Sequence, residues 1–192
     1  AKAIITESSF ARRVKDILRD FCEVFYNKIP CNLIAVTGTN GKTSTVNFIS
    51  QLLNLLGKSS ASIGTLGVLL GGDFEKSICD TGMTSPDIIT LYENLSKLAE
   101  NNIEYVAIET SSHGLHQNRF GNLKFDVSCF TNFTQDHLDY HETFQEYFAA
   151  KKLLFTDFTK IASAAVLNSD IQEFPELRKI CKQQKLKIFD YG

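Results

Sequence analysis

The stretch Thr37-Gly38-Thr39-Asn40-Gly41-Lys42-Thr43-Ser44 stands between the apolar run 33–36 and a helix-like pattern over residues 45–56. The order is therefore strand, glycine-rich loop, helix. Glycines let several backbone N–H groups converge on one anion, the helix N-terminus adds partial positive charge, and Lys42 adds a full charge. Thr43 offers its hydroxyl to a magnesium ion. The stretch predicts a phosphate-binding loop whose nucleotide contacts come from Gly38, Thr39, Asn40, Gly41, Lys42, Thr43 and Ser44.

The spacing of this loop departs from the usual Walker pattern. That pattern has a glycine six residues before the lysine, and this chain has Val36 there. A glycine-rich turn with an incidental lysine is the alternative interpretation. The strand and helix signals on either side favour phosphate binding.

Composition and charge limit the classes of protein to consider. The chain has 192 residues, of which 43% are apolar and 22% charged, which is typical of one soluble globular domain. A formal charge of −2 does not favour nucleic acid or an anionic membrane as a partner. The five cysteines are odd in number and form no C-x-x-C pair, which indicates a reducing cytoplasm rather than disulfides or a zinc cage. No apolar run approaches the length of a membrane span.

Alternating strand and helix signals predict the fold class. Short apolar runs predict strands at residues 33–36, 60–70, 105–108, 125–131, 161–167 and 186–189, and a turn at 71–73 predicts a small hairpin after the strand 60–70. Helical spacing predicts helices at residues 9–26, 45–56, 143–158 and 171–183, and one more that starts at Thr84-Ser85-Pro86-Asp87 with Pro86 in its first position. This alternation predicts one α/β domain, doubly wound around a mostly parallel sheet, after a lead-in helix within residues 1–30.

Two polar clusters directly follow two predicted strands. Glu109 begins the first cluster, and the second ends at His137. Because ligands bind beyond the carboxyl ends of parallel strands, both clusters should share a crevice with the phosphate loop. Glu109 is the candidate magnesium ligand. The residues alone leave the role of His137 open, since a lone histidine is usually structural. The pairs His113/His116 and His137/His141 could suggest zinc, but no third ligand is positioned and the phosphate loop already explains a magnesium site.

Lys151 is the unusual residue of the predicted helix 143–158. It falls on the apolar stripe of that helix, whereas Lys152 lies to one side. A lysine directed inward is desolvated unless it is paired or chemically altered, and a buried amine is more easily neutral and nucleophilic. The alternative is a lysine whose long stem carries its charge out to solvent.

Five motifs, taken together and in order, resemble those of the Mur ligases. They are Gly38-Thr-Asn-Gly-Lys42-Thr43, Thr84-Ser85-Pro86-Asp87, Glu109-Thr-Ser-Ser-His113-Gly-Leu, Asn132-Phe-Thr-Gln-Asp-His137-Leu-Asp-Tyr-His141 and Ala149-Ala150-Lys151. The resemblance is strongest to the branch that adds the third peptide residue, diaminopimelate or lysine, to UDP-N-acetylmuramoyl-L-alanyl-D-glutamate. The combination is far more specific than the phosphate loop alone.

The resemblance implies a mechanism and a role for each matching residue. ATP phosphorylates the substrate carboxylate, and an incoming amine displaces phosphate from the acyl phosphate. Lys42, Glu109, His137 and Lys151 are then the catalytic residues, with Lys42 on the γ-phosphate. Magnesium is held by Thr43, Glu109, His137 and Lys151, the last as a carbamylated lysine. The muramoyl-peptide contacts fall on Thr84, Ser85, Ser111, Gln117 and Arg119.

The resemblance also implies how the chain is organised. Residues 31–192 match most of a central ATP-binding domain, and the family's N-terminal uridine-nucleotide domain and C-terminal domain have no counterpart here. The isolated chain is therefore expected to be inactive. The implied protein is a cytoplasmic monomer that acts on small molecules (UDP-muramoyl dipeptide, an amino acid and ATP), with neither nucleic acid nor membrane as a partner. The alternatives are a folylpolyglutamate- or cyanophycin-type ligase domain and a nucleotide-binding module without turnover.

Overall fold

The computed structural model of the chain describes residues 8–71, 77–79, 83–134 and 140–192. The strands are β1 (Asn32–Thr37), β2 (Ser60–Gly64), β3 (Gly67–Leu70), β4 (Ser77–Cys79), β5 (Tyr105–Glu109), β6 (Phe125–Phe130), β7 (Thr159–Asn168) and β8 (Lys187–Tyr191). The helices are α1 (Ser8–Phe25), α2 (Lys42–Leu55), α3 (Ile88–Glu100), α4 (Ser112–His116), α5 (Phe144–Leu153) and α6 (Phe174–Gln183), and a π-helical turn (Leu154–Phe158) continues α5.

These eight strands form one sheet in the order β4-β3-β2-β5-β1-β6-β7-β8. β1 lies at the centre and pairs in parallel with both β5 and β6. Only β3 and β4, at one edge of the described sheet, run antiparallel to their neighbours. The chain leaves β1 toward one edge and later crosses to the other side of it, so a crevice opens at the carboxyl end of β1. The predicted α/β class with a mostly parallel sheet is confirmed.

The two faces of the sheet are covered to different extents. The larger apolar cluster joins one face to α3, α4, α5 and α6. On the other face α2 packs on β2 and β5, and Val46 of α2 joins Val36, Ala107 and Cys129 in a smaller cluster. The outward side of α2 remains exposed, at Phe48, Leu52, Leu55 and Leu56. Helices on both faces agree with the doubly wound prediction.

Three predicted helix starts differ from the observed ones by two or three residues, and one of them is α6, which begins at Phe174 rather than at Ile171. α2 begins at Lys42, three residues before the predicted start, because Gly41 takes a left-handed conformation (φ 81°) and turns the chain directly into the helix. α3 begins at Ile88, so Pro86 precedes the helix instead of occupying its first position. The reason is Asp87, whose carboxylate caps α3 by accepting from the backbone N–H groups of Ile89 and Thr90.

The other boundaries follow the sequence pattern more closely. The predicted strand 60–70 is in fact two antiparallel strands, β2 and β3, because the chain turns at Thr65 and Leu66. Residues 72 and 73 of the predicted turn lie outside the described residues. The predicted helix 143–158 is α5 and the π-helical turn together, capped by the Thr143 hydroxyl. No helix in the described part of the chain is long and apolar enough to cross a membrane.

Candidate functional site

The loop between β1 and α2 is shaped by two glycines. Gly38 has φ 140° and Gly41 has φ 81°, values that side chains other than hydrogen rarely allow. Gly38 also lies against β6, since a Cβ atom on it would stand 2.0 Å from Oγ1 of Thr131. Lys42 and Thr43 consequently stand in the first turn of α2, with the helix N-terminus directed at the crevice. The predicted order of strand, loop and helix is confirmed.

The segment that follows β6 holds this loop in place. The backbone N–H of Thr39 donates to the carbonyl of Asn132 at 2.9 Å, and that of Asn40 donates to the Asn132 side-chain oxygen at 2.8 Å. The Thr131 hydroxyl donates to the Asn40 carbonyl at 2.7 Å. Thr131 and Asn132 therefore act as a clamp on the loop. Sequence reasoning missed this role, because it depends on the pairing of β6 with β1.

Two lysines converge on one carbonyl of the loop. Lys42 Nζ donates to the Gly38 carbonyl at 3.1 Å and to the Thr39 carbonyl at 2.7 Å. Lys151 Nζ reaches the same Gly38 carbonyl at 2.7 Å, and its side chain is only 1% exposed. The inward orientation of Lys151 is confirmed, and the alternative of a lysine extending to solvent is wrong. Lys152 instead forms a surface ion pair with Glu176 at 2.6 Å.

Glu109 lies at the end of β5 and is buried. Its Oε1 accepts from the backbone N–H of Thr65 at 2.8 Å, and its Oε2 accepts from the Thr43 hydroxyl at 3.0 Å. Burial raises the pKa of the Glu109 carboxyl, although the hydrogen bonds from Thr65 and Thr43 and the charge of Lys42 oppose the shift. A cation placed beside this carboxylate would offset the cost of burying its charge.

The Thr43 hydroxyl and the Glu109 carboxylate fit a magnesium ion. Both are hard oxygen ligands, they adjoin the phosphate loop, and magnesium in nucleotide sites commonly uses one or two carboxylates together with phosphate oxygens. The predicted ligand His137 lies outside the described residues. Within the described part of the chain, no three His, Cys, Asp or Glu side chains form a group that could hold a metal ion. Among the described residues, a site here would therefore combine the Glu109 carboxylate and the Thr43 hydroxyl with oxygen atoms of the phosphates.

Gly64, at the end of β2, provides the space that Glu109 occupies. A Cβ atom on Gly64 would lie 2.0 Å from Glu109 Oε1. We expect Gly64→Ala to displace the carboxylate and to lower magnesium-dependent nucleotide affinity by about tenfold, because a charge-assisted contact is lost. Isothermal titration with Mg²⁺ and a non-hydrolysable ATP analogue measures this.

A second glycine supplies the control for this prediction. Gly57 has φ 74°, and a Cβ atom on it would meet nothing within 4 Å, so Gly57→Ala strains the backbone far from the carboxylate. It should lower stability by about 1 kcal/mol and leave nucleotide affinity unchanged. Equal affinity for the wild type and Gly64→Ala would show that the Glu109 position is unimportant for binding.

The predicted substrate residues lie beside Glu109 and contact one another. The Ser85 hydroxyl donates to the Glu109 carbonyl at 3.0 Å and accepts from the Ser111 backbone N–H at 2.9 Å. The Thr65 hydroxyl donates to the Thr84 hydroxyl at 3.2 Å. The structure thus brings Ser85 and Ser111 to the backbone carbonyl of Glu109, and Thr84 to Thr65, which binds the Glu109 carboxylate.

Arg119 and Gln117 stand on the far side of Ser85. The Arg119 guanidinium donates to the Ser85 carbonyl at 2.7 Å and, through two nitrogens, to the Gln117 side-chain oxygen at 2.9 and 2.7 Å. Gln117 in turn donates to the Tyr140 hydroxyl at 3.1 Å. Arg119 and Gln117 line a cavity of about 500 Å³ between α1 and the start of α3. The lining also contains Arg19 and the carboxylates of Asp16 and Asp87, so its charge is mixed, and Arg119 and Gln117 are the groups in it that can bind an anionic or carbonyl oxygen.

Comparison with known proteins shows the family to which the chain belongs. Residues 36–192 match the model of the Mur ligase middle domain, so the chain belongs to that family.

Individual relatives show which members of the family the chain is similar to. The chain is 46% identical over 185 residues to a UDP-N-acetylmuramoyl-L-alanyl-D-glutamate--2,6-diaminopimelate ligase of Rickettsia bellii, an alignment that covers 95% of this chain and 39% of that protein. A solved structure of a ligase with the same name superimposes with a TM-score of 0.79 at 27% identity, covering 97% of this chain and 37% of the other. A bifunctional folylpolyglutamate synthase/dihydrofolate synthase shares the fold, with a TM-score of 0.63 at 16% identity over 90% of this chain and 46% of its own. The chain thus spans less than half the length of these relatives.

Proposed function

We propose that this chain is the ATP-binding domain of a ligase that joins diaminopimelate, or lysine, to UDP-N-acetylmuramoyl-L-alanyl-D-glutamate in peptidoglycan precursor synthesis. The observation that carries the proposal is the grouping at the carboxyl end of the sheet. Lys42, Thr43, Glu109 and the buried Lys151 all adjoin one glycine-rich loop. The name of the Rickettsia bellii relative supports this choice of reaction.

The loop residues would bind and orient ATP. The ammonium group of Lys42 can move from the loop carbonyls to the γ-phosphate, while the N–H groups at the start of α2 face the remaining phosphate oxygens. Thr43 and Glu109, with His137 and a carbamylated Lys151, would hold magnesium. When bound, the ion would neutralise charge on the transferred phosphoryl group. The folylpolyglutamate synthase neighbour was crystallised with manganese and an ATP analogue, which supports a metal–nucleotide pair.

The polar residues next to Glu109 would bind the muramoyl peptide. Arg119 and Gln117 would contact its anionic part from the cavity wall, and Thr84, Ser85 and Ser111 would direct its carboxylate toward the γ-phosphate. That carboxylate would attack the γ-phosphorus while ADP leaves, and the amine of the incoming amino acid would then displace phosphate from the acyl phosphate and lose a proton. The chain's contribution is to position the two charged groups and compensate their repulsion.

The organisation of the whole protein is part of the same proposal. Residues 31–192 would form most of a central domain, preceded by the helix α1. Binding of the uridine nucleotide and selection of the amino acid would belong to the larger part of the relatives' length that this chain does not span. The protein would work as a monomer in the cytoplasm, where ATP and the nucleotide-linked substrate are present.

The test separates binding from turnover. The 192-residue chain should bind Mg²⁺ and an ATP analogue in a calorimetric titration. It should release no phosphate in response to the muramoyl dipeptide and diaminopimelate, because positioning of the amine by further parts of a ligase can supply on the order of 7 kcal/mol of the barrier. Robust phosphate release by the chain alone would contradict the expectation that turnover needs further parts of a ligase.

The candidate reactions can be distinguished with a polypeptide that joins this domain to the remaining length of its relatives, by measuring which substrates its phosphate release requires. Phosphate release that requires muramoyl dipeptide and diaminopimelate or lysine supports the proposal. Release that requires a folate and glutamate would instead indicate the folylpolyglutamate ligase, and nucleotide binding without turnover would indicate a binding module.

A further inference from the structure

Helix α5 sends two side chains, one turn apart, to the phosphate loop. The Tyr147 hydroxyl donates to the Thr39 hydroxyl at 3.3 Å, and Lys151 Nζ donates to the Gly38 carbonyl at 2.7 Å. Helical side chains lean toward the N-terminus of their helix, so the residue at i+4 passes over the residue at i. Accordingly, Lys151 Nζ lies 4.5 Å from the centre of the Tyr147 ring.

The ring of Tyr147 is fixed in place by its neighbours. Tyr147 is 0% exposed, and its ring stacks on Phe133 with 5.2 Å between ring centres. On another side it contacts His141, at 5.4 Å between ring centres. A ring packed in this way cannot move its hydroxyl without opening the core. The hydroxyl is therefore a rigid anchor point.

The hydroxyl of Thr39 links the Tyr147 hydroxyl to the phosphate loop. It donates to the Thr134 carbonyl at 3.1 Å and accepts from the Thr134 backbone N–H at 3.0 Å. The carbonyl of the same Thr39 accepts from Lys42 Nζ at 2.7 Å. Displacing Thr39 would therefore displace an acceptor that holds the phosphate-binding lysine.

We propose that Tyr147 is a positioning residue for nucleotide binding, which acts through the Thr39 hydroxyl on the loop that carries Lys42. This inference rests on the proposed nucleotide function. It adds to that function the group that sets the geometry of the loop. Its hydroxyl, rather than its ring, transmits the effect to the loop.

The experiment is a double-mutant cycle measured by calorimetric titration of the chain with Mg²⁺ and an ATP analogue. Tyr147→Phe removes the hydroxyl and keeps the ring, so the Kd should rise about fivefold, as expected for one buried neutral hydrogen bond. In a Thr39→Val background the same substitution should change the Kd by less than twofold. In a Thr39→Ser background, which keeps the hydroxyl, the full effect should return.

A second buried tyrosine provides the matched control. Tyr92 is also buried, and its hydroxyl donates to Glu23 at 3.3 Å, so Tyr92→Phe should leave the Kd unchanged. A lower unfolding temperature for Tyr147→Phe with an unchanged Kd would show a merely structural role and overturn the proposal. Equal losses in the wild-type and Thr39→Val backgrounds would overturn it too. Failure of the wild type to bind nucleotide would instead refute the proposed function, and this inference with it.

Discussion

Replacement of Lys42 by alanine is expected to weaken binding of Mg²⁺ and ATP by about 2 kcal/mol or more, which is a roughly thirtyfold rise in Kd. Lys42 stands in the first turn of α2, with Nζ close to the Gly38 and Thr39 carbonyls. A nucleotide would exchange those neutral acceptors for charged phosphate oxygens. Charge-assisted hydrogen bonds are about twice as strong as neutral ones, so the loss should exceed that of any single uncharged loop contact.

The control for Lys42 stands just beyond the other end of the same helix. Lys58 is exposed there, and Lys58→Ala removes the same charge from the chain without touching the loop. Its Kd should equal that of the wild type at physiological ionic strength, since exposed charges more than about 8 Å apart are largely screened. Unchanged affinity in Lys42→Ala would refute the phosphate-loop assignment. Thermal unfolding of both variants shows whether any loss of affinity comes from unfolding.

Local signals in the sequence predicted the order of strands and helices and the phosphate-loop conformation. Strand β5 has apolar side chains on both faces, and that pattern is typical of a strand buried in a parallel sheet. The loop after β1 needed glycines for its left-handed conformations, which is a requirement that acts within a few residues. Lys151 was also placed correctly, because helical spacing alone assigned it to the apolar side of α5.

Contacts that depend on strand register could not be predicted in this way. Thr65 binds Glu109 because β2 pairs with β5 in one particular register, and Asn132 clamps the loop because β6 lies beside β1. Nothing in the neighbouring residues of the chain specifies either pairing. The start of α3 shows the same limit on a smaller scale, since both Pro86 and Asp87 are good helix-start residues and the Asp87 cap decided between them.

Apolar periodicity also failed to show which side of α2 is covered. The pattern of residues 45–56 predicted a helix, and the helix exists. Yet Val46 is buried against the sheet, whereas Phe48, Leu52 and Leu55 are exposed in the described structure. A helix with apolar residues on several sides has no single stripe from which its buried face can be deduced.

The second large effect is expected at Lys151. In a polypeptide that joins this domain to the remaining length of its relatives, Lys151→Ala should lower turnover by about a hundredfold or more, the usual cost of removing a preorganised electrostatic group. Lys152→Ala should be nearly silent. Its ion pair with Glu176 is partly exposed, and such pairs contribute about 1 kcal/mol or less to stability. The two adjacent lysines thus form a matched pair of variants with opposite expected outcomes.

The chemical reason for this difference is the proposed carbamate on Lys151. The ammonium group first loses a proton, the neutral amine then attacks carbon dioxide to form a nitrogen–carbon bond, and a second proton leaves to solvent, so a buried cation becomes an anion. That anion would lie beside the Gly38 carbonyl, which Lys42 also approaches, and it could bind magnesium together with Glu109 and Thr43. In the alanine variant a small carboxylate such as acetate could enter the vacated space and restore part of the activity.

Labelled bicarbonate tests the carbamate without relying on activity. With carbon-13 bicarbonate, the wild type and Lys152→Ala should both give a carbamate carbon signal, and Lys151→Ala should give none. The signal should disappear when carbon dioxide is removed and return when it is restored, because the bond forms reversibly from the neutral amine. If neither protein gave a signal, or if both alanine variants lost activity equally, Lys151 would be an ordinary buried lysine that anchors α5 to the Gly38 carbonyl, and the anionic ligand for magnesium would have to come from another residue.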